Sequence, residues 1–389
     1  MAGPIAVILA TLNTKAIETR YLKERILAHG FDCEIIDVSL DAGGRQLHGD
    51  DKLVAMERAA ERAGKVLSER AMVTPVRVMI GLGGGTGGQI IAAALDAADL
   101  DAWKLLITTQ AFDTRFVSGL EDAIIIPAIA DIEGLNRMTM RVLESSAAVA
   151  SSLINCETIN AGQPDDNTVC LSALGITSQG IKRARSQIEN LGYECAVFHA
   201  NGHGGNTMVR LIESRGFCAV LDYTIHELVS LCLDPETQVS SQRFRLPREI
   251  PRVMLPGGVN FMTRWRGREF GRDQMPRPQY SHSSEIAHVG LSEDEMAGLG
   301  DALANVLSEA TRSTTVIIPM GGFSSEDCPG GLLENKPGRA AFAESLVAQA
   351  NNRLRVVRTD GHINDFAVAE LAVEMLRELI DEHQAGRVT

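Results

Sequence analysis

The chain has 389 residues, of which 45% are apolar and 22% are charged. This composition is typical of a globular protein with a sizeable core, and it excludes a small disulfide-stabilised scaffold and a disordered chain. Lys and Arg number 37 against 50 Asp and Glu, and the resulting net charge of −13 disfavours nucleic acids and anionic membranes as partners.

Cysteine usage and the N-terminus indicate the compartment. The seven cysteines form no CxxC pair, so we expect reduced thiols rather than a disulfide framework or a zinc site. The apolar stretch near the N-terminus follows no basic residue, so it is not typical of a signal peptide. No apolar run has the length of a membrane span. We therefore expect a cytoplasmic protein.

In the first half, short aliphatic runs alternate with longer amphipathic stretches. This pattern is typical of a parallel sheet covered by helices on both faces. The predicted strands are 5–10, 33–38, 76–81, 104–108 and 123–127, and the predicted helices are 14–29, 51–70, 87–98 and 133–153.

A stretch with Gly, Pro and consecutive acids, residues 154–167, interrupts this rhythm as a linker would. A second series follows it, with strands predicted near 168–173, 194–199, 217–221, 252–255, 314–319 and 354–358 and helices near 178–191, 205–215, 224–232, 292–311, 338–351 and 365–384. The fold class is therefore α/β, with two Rossmann-like, doubly wound and mostly parallel domains at 1–160 and 167–389. Residues 234–290 form a long Pro- and Arg-rich insertion without clear periodicity, and we expect a lid or an oligomer contact there.

The strongest local motif is a strand that runs into GLGGGTGG. Backbone amides of such a turn can approach a phosphate at the N-terminus of the following helix. The motif is not a Walker A sequence, because Gln89 stands where a Lys is needed. A tight packing turn is the alternative reading. The candidate cofactor-binding residues are Gly83, Gly84, Gly85, Thr86, Gly87 and Gly88, with Gly81 before them.

The turn after the first strand is a second candidate phosphate contact. Thr11, Asn13 and Thr14 can donate hydrogen bonds, and Lys15 adds a positive charge. Simple capping of the next helix by Asn13 or Thr14 is the alternative.

Further Gly-rich turns end strands of the second half. FHANGHGGNTM contains Gly204 and Gly205 as candidate anion-binding residues, and His199 and His203 as candidate general acids or bases. Two more turns add Gly257, Gly258, Asn260, Gly321 and Gly322 to the candidate binding residues. A shared cleft, in which backbone donors converge on an anionic ligand, explains these turns together.

Three further acid/base candidates lie near strand ends. Asp222 and Glu227 are predicted to follow a strand, although acids in a first helical turn also interact favourably with the helix dipole. His362 lies in a polar cluster between the last strand and the last helix. No motif typical of a dedicated metal site is present.

Several motifs in their order resemble the Tm-1-like ATP-binding family, also called UPF0261. They are TLNTK, GLGGGTGG, ADIEGLNR, VFHANGHGG, LDYTIHEL, PGGVNF, IPMGGFSSED and HIND, and the resemblance covers nearly the whole chain. It implies two Rossmann-like subdomains, ATP with Mg²⁺ as cofactor, and self-association into a dimer or larger homo-oligomer. A plant member combines such a region with a TIM-barrel domain resembling phosphoenolpyruvate hydrolases, so a separate barrel protein is an expected partner here.

Three functions fit these observations. The first is an ATP-binding enzyme acting on a small anionic substrate in a cleft between the two subdomains. The second is a non-enzymatic module in which ATP modulates binding of a protein partner. The third is a nucleotide-independent acid/base hydrolase or lyase whose Gly-rich turns hold an anionic substrate.

Overall fold

The structure is a computed structural model. It describes residues 3–40, 47–98, 100–110, 123–156, 167–214, 216–235, 237, 239–246, 249–265, 277–308, 313–351 and 354–387. The chain divides into two compact units, residues 1–160 and 161–389, called unit 1 and unit 2 below. Residues 157–166 of the predicted linker and 266–276 of the predicted insertion lie outside the described residues.

Unit 1 contains one parallel sheet in the order β2-β1-β3-β4-β5. Alternate residues of the fully buried first strand point to opposite faces: Ile5, Val7 and Leu9 pack in one hydrophobic cluster, and the intervening residues pack in another. The elements are β1 (Ile5–Ala10), α1 (Leu12–Ala28), β2 (Cys33–Asp37), α2 (Gly49–Ala71), β3 (Val76–Leu82), α3 (Gly85–Ala98), β4 (Trp103–Thr108), β5 (Ile124–Pro127) and α4 (Arg137–Asn155). Helices α2 and α3 cover the first face, and α1 and α4 cover the second.

Unit 2 contains a six-stranded parallel sheet and a small antiparallel sheet. Its elements are β6 (Thr168–Ala173), α5 (Ser178–Asn190), β7 (Glu194–His199), α6 (His203–Ser214), β8 (Ala219–Thr224), α7 (Glu227–Leu233), β9 (Arg252–Gly257), β10 (Phe261–Trp265), β11 (Gln279–Ser281), β12 (Ile286–Gly290), α8 (Glu293–Val306), β13 (Thr314–Pro319), α9 (Lys336–Gln349), β14 (Arg355–Thr359) and α10 (Phe366–Arg387). The large sheet has the order β14-β13-β9-β8-β6-β7. In each unit the second parallel strand is therefore at an edge, and the first lies between the second and the third.

The predicted α/β class with two doubly wound, mostly parallel sheets is confirmed. The prediction missed the antiparallel sheet β10-β12-β11 inside 234–290. Its strands have three to five residues, and Phe261 pairs with Gly290 far along the chain. Strands this short become regular through pairing with each other, which a local pattern does not reveal.

Two element boundaries differ in ways that affect candidate residues. Strand β8 extends to Thr224, so Asp222 lies inside the strand rather than after it, as the sequence predicted. Helix α4 begins at Arg137 instead of 133, because Asn136 caps it by accepting bonds from the Met138 and Thr139 amides. Within the described part of the chain, none of the helices combines the length and the apolar character that crossing a membrane requires.

Candidate functional site

The order of the first sheet reverses between β1 and β3. Helices α1 and α3, which follow these two strands, pack on opposite faces. Open α/β sheets bind ligands at the carboxyl ends of strands at such a reversal. The structure brings together here the two turns that the sequence singled out in unit 1, since Thr11 Cγ2 lies 3.5 Å from the position that a Cβ on Gly87 would occupy.

The Gly-rich turn presents the N-terminus of α3 at this reversal. The amide of Gly83 donates to Ile107 O at 3.1 Å, and the amide of Gly88 makes a 2.7 Å bond to Gly84 O. The amides of Gly85, Thr86 and Gly87 precede that first intrahelical bond, so the helix itself provides them no acceptor. Among the described residues no other acceptor is recorded for them.

The glycines of this turn differ in what a side chain would meet. A Cβ on Gly81 would collide with Ile91 and Leu106, and one on Gly83 would lie 2.8 Å from the Gly88 nitrogen. By contrast, a Cβ on Gly85 would meet no described residue within 4 Å, and those on Gly87 and Gly88 would make ordinary contacts at 3.5 and 3.8 Å. None of these glycines has a positive φ. The fold therefore requires glycine at 81 and 83 but not at 85, 87 or 88.

The turn after β1 is largely bonded within unit 1. The amides of Leu12 and Asn13 donate to Asp37 Oδ1 at 3.0 Å and to Ser39 Oγ at 3.1 Å, so these amides of α1 are occupied. The hydroxyls of Thr11 and Thr14 lie 2.9 Å apart. The turn can therefore offer a ligand its side-chain hydroxyls but not its backbone amides.

Lys15 reaches away from this turn and donates from Nζ to Ile132 O at 2.7 Å. Asn13 and Thr14 are exposed. Sequence reasoning missed Asp37, Thr108 and Thr109, which also lie at carboxyl ends of strands at this edge. The polar residues directly after the aliphatic runs of β2 and β4 were the signal.

The Gly-rich turn of unit 2 encloses one of the protein's own carboxylates. Gly202 has φ +103° and donates its amide to Glu227 Oε1. A Cβ on Gly205 would collide with the Glu227 carboxylate, and one on Gly204 would collide with His199 O. Glu227 thus occupies the position at the start of α6 where the sequence predicted a bound anion.

A buried network of charged side chains holds Glu227 in place. Arg243 donates from Nε to Glu227 and makes two bonds of 3.0 and 2.9 Å to Asp222. Arg252 donates to Asp222 at 2.7 Å, and Ser172 donates to it at 2.7 Å. Asp222 and Arg243 are completely buried. Asp222 is therefore surrounded by hydrogen-bond donors, and both Asp222 and Glu227 form ion pairs.

The pKa values of the two acids follow from these surroundings. Burial alone would raise the pKa of Asp222, but the charges of Arg243 and Arg252 outweigh burial and hold this pKa well below its ordinary value. Burial raises the pKa of Glu227 in spite of the neighbouring Arg243.

The remaining strand-end glycines of unit 2 are required by packing. Gly258 and Gly322 have φ +76° and +152°. A Cβ on Gly257 would collide with Tyr223 O, and one on Gly321 would lie 2.7 Å from Gly361 C. The strand ends do lie together, since the amide of Gly258 donates to Phe323 O at 2.8 Å. Their glycines, however, contact neighbouring chain segments.

Asn260 and the sequence-predicted histidines occupy different environments. Asn260 is completely buried, and its side-chain Oδ1 and Nδ2 have no hydrogen-bond partner among the described residues. His362 donates from Nε2 to Ser324 O, in the segment after β13, at 2.9 Å and accepts at Nδ1 from the Asn364 amide at 3.1 Å, so both ring nitrogens are bonded. His199 is exposed at the end of β7, and His203 is the first residue of α6.

A stack of rings in unit 2 went undetected in the sequence. Phe261 lies between His226 and His288, with ring centroids 4.6 and 4.1 Å away, and His282 stacks on His288 at 4.8 Å. Burial lowers the pKa of His226 to about 4. Burial and the two neighbouring histidines lower the pKa of His288 to about 4 as well. No group of three or more His, Cys, Asp or Glu side chains suited to a metal occurs among the described residues.

Comparisons with known proteins assign both halves of the chain to the same family. Residues 4–158 match the Uncharacterised protein family (UPF0261) N-terminal domain, and residues 166–380 match the C-terminal domain of the same family. The UPF0261 protein of Clostridium tetani is 25% identical over 399 residues, covering 96% of this chain and 98% of its own length. The UPF0261 protein RA0729 of Rhizobium meliloti is 27% identical over 400 residues, with the same two coverages.

A plant relative matches a shorter region. The ToMV resistance protein Tm-1(GCR237) of Solanum lycopersicum is 24% identical over 310 residues, which are 77% of this chain and 41% of that protein. Among solved structures, LpCGTa in complex with UDP is 11% identical and covers 97% of this chain and 100% of its own, with a TM-score of 0.20. A score of this size supports no inference about a ligand.

Proposed function

This chain belongs to the UPF0261 family, and we propose that it is a nucleotide-binding protein whose unit 1 binds the phosphates of ATP. The phosphates lie at the N-terminus of α3, against the amides of Gly85, Thr86 and Gly87. Thr11 and Thr14 flank them from the end of β1, and Thr108 and Thr109 flank them from the end of β4.

One observation carries the proposal: the packing of the described residues leaves room for a Cβ at 85, 87 and 88, so it does not require glycine at these positions. A Cβ at Gly85 would meet none of the described residues within 4 Å, so their packing does not require glycine there. Glycine at such a position is useful where another group must approach the backbone closely. A phosphate fits, because it needs backbone amides, and those of Gly85, Thr86 and Gly87 have no acceptor among the described residues.

The electrostatics of the turn also favour an anion. The dipole of the 14-residue helix α3 places partial positive charge at its first turn, and among the described residues no carboxylate is bonded to its first amides. The whole chain carries a net charge of −13, which repels a phosphate at long range. The partial positive charge at the start of α3 attracts the phosphate at short range. Mg²⁺ would accompany the triphosphate as its counterion and keep most of its ligands from phosphate and water.

Catalysis is a further part of the proposal, and it rests on fewer residues than the sequence suggested. Asp222 and Glu227 are bonded in the buried network, and both nitrogens of His362 are bonded, one to Ser324 O and the other to the Asn364 amide. His199 and His203 remain the candidate acid and base. In an enzyme acting on a small anionic substrate, they would transfer protons within unit 2.

Isothermal titration with Mg²⁺ and ATP tests the phosphate site. We expect the wild type to bind and Gly85→Val to bind at least about tenfold more weakly, because the added methyls cover the amides that the phosphate contacts. Gly298→Val is the matched control, since a Cβ on Gly298 in α8 also meets nothing within 4 Å. Its affinity should equal that of the wild type. An unchanged affinity in Gly85→Val, or no binding by the folded wild type, would contradict the proposal.

A further inference from the structure

We propose that Asp37 recognises the ribose of the bound nucleotide, accepting a hydrogen bond from a ribose hydroxyl at its free carboxylate oxygen. The inference rests on the proposed function and deepens it, because it specifies ribonucleotides rather than phosphate compounds in general. It is carried by the position of Asp37 at the edge of the sheet and by the way its two oxygens are used.

Asp37 is the last residue of β2, and β2 pairs with β1 so that Asp37 lies opposite Ala10. Strand β3 is the other neighbour of β1. Since neighbouring strands lie about 4.8 Å apart, the end of β2 is about 10 Å from the end of β3. A ribose joined to its phosphates covers such a span, with the phosphates at the Gly-rich turn and the ribose beside Asp37.

The two oxygens of Asp37 have different surroundings. Oδ1 accepts three bonds, from the Leu12 amide at 3.0 Å, the Ser39 amide at 2.9 Å and Ser39 Oγ at 2.6 Å. These bonds account for a capping role toward α1. Oδ2 has no partner recorded among the described residues, and the side chain is exposed. The capping role therefore explains one oxygen and leaves the other available.

The charge of Asp37 suits a hydroxyl and not a phosphate. Burial would raise the pKa of this carboxyl, but the bonds from Ser39 and Leu12 outweigh burial and lower the pKa, so Asp37 is ionised at neutral pH. An ionised carboxylate only accepts hydrogen bonds. Across β2, β1 and β3 the edge thus offers an acceptor, then hydroxyls, then amide donors. A ribose followed by phosphates offers the complementary order of donors and acceptors.

Comparing ATP with inorganic tripolyphosphate, both with Mg²⁺, isolates the ribose contact. Asp37→Asn keeps an oxygen for the Leu12 and Ser39 bonds and removes the free anionic oxygen. We expect this variant to bind ATP about tenfold more weakly, which is the effect of losing one charge-assisted hydrogen bond. Tripolyphosphate should bind equally well or more tightly, because a nearby negative charge is removed. Ser39→Ala is the control for a disturbed cap, and it should leave the ratio of the two affinities unchanged.

Each other outcome overturns the inference in a recognisable way. If Asp37→Asn weakens ATP and tripolyphosphate equally, Asp37 acts through the turn or through Mg²⁺. If neither affinity changes, Asp37 does not contact the nucleotide. If the wild type binds both ligands with equal affinity, the phosphate site stands and ribose recognition fails. If the folded wild type binds neither, the proposed function fails and the ribose contact with it.

Discussion

The two Gly-rich strand-to-helix turns, residues 83–88 in unit 1 and residues 202–205 in unit 2, resemble each other in sequence and differ in what lies against them. The turn of unit 2 encloses Glu227, and its glycines make room for that carboxylate and for His199 O. Among the described residues, the turn of unit 1 has no such group against Gly85 and no acceptor for its first amides. A Gly-rich turn is therefore compatible with an internal or an external anion.

The sheet reversals of the two units differ in the same way. Between β6 and β8, the hydroxyls of Thr177 and Thr224 lie 2.7 Å apart, and both side chains are completely buried. Between β1 and β3, Thr11 and Gly85 are only partly buried. Unit 2 fills its reversal with its own side chains, and unit 1 leaves donors accessible there. We therefore expect ligand effects in unit 1 and stability effects in unit 2.

The largest expected effect comes from removing the cation that holds Glu227. Arg243→Met should lower the free energy of unfolding by about 3–5 kcal/mol, because the buried Glu227 would lose its cation and Asp222 would keep only that of Arg252. Urea unfolding measures the change. In the control Arg355→Met, the lost partner Glu378 is 44% exposed, and the cost should stay below about 1 kcal/mol. Equal losses in both variants would show that the network does not stabilise unit 2.

The next largest effect is expected from acidification, which should lower the stability of unit 2. His226 and His288 have pKa values of about 4 in the folded protein against about 6.5 in an unfolded chain. The unfolded state therefore binds more protons below pH 6.5, and stability falls as the pH drops toward 4. Between pH 7 and pH 5 the loss should be on the order of 2 kcal/mol per histidine.

Hydrogen exchange at pH 7 and pH 5 checks this expectation, since it reports opening residue by residue. The loss of protection should appear around β10 and β12 of unit 2, and the variant His226→Gln should show a smaller pH dependence. A loss of protection centred on unit 1 instead would contradict the assignment.

Adding a methyl group to the Gly-rich turn of unit 2 should lower the free energy of unfolding by less than the loss of Arg243 does. The Cβ in Gly205→Ala would collide with the Glu227 carboxylate, so the carboxylate must shift, at a cost of about 1–3 kcal/mol. The double variant Gly205→Ala with Glu227→Ala tests the cause, because removing the carboxylate removes the collision and makes the two losses non-additive. Strict additivity would mean that Gly205 and Glu227 do not interact.

The smallest expected effect has the opposite sign. Gly85→Ala places its Cβ in open space, so it should raise the stability of unit 1 by about 0.4–1 kcal/mol through the lower entropy of the unfolded chain. The same methyl should weaken ATP binding. Thermal unfolding and titration on one sample measure both. A variant that loses stability would indicate that the fold does require glycine at this position.

Most of the fold was predictable because its signals are local. The buried run Ile5–Ala10 and the other central strands stand out as short aliphatic segments bounded by turns. One of the two exceptions depended on a partner distant in sequence, and the other on a helix cap that the sequence analysis did not assign. Strand β10 exists through its pairing with β12, and α4 begins late because of the Asn136 cap.

The candidate site was predictable only in part. The sequence located the turns at Thr11–Lys15 and Gly83–Gly88, because strand ends and glycines are visible in the order of residues. It treated Gly85 and Gly205 alike, since no local pattern shows what lies opposite a glycine. Asp37 was missed because its importance follows from the neighbouring positions of β2 and β1 in the sheet.

The sequence by itself determined the α/β class, the order of the elements and the positions of the strand-end turns, because hydrophobic periodicity and turn chemistry act over a few residues. Only the tertiary structure decided which of the two Gly-rich turns encloses a carboxylate of the protein itself. Glu227 reaches the turn at Gly202 through folding of distant segments, and Arg243 joins it to Asp222. Such contacts between side chains far apart in the chain arise when the sheet assembles, and they leave the turn of unit 1 as the one at which we propose a ligand.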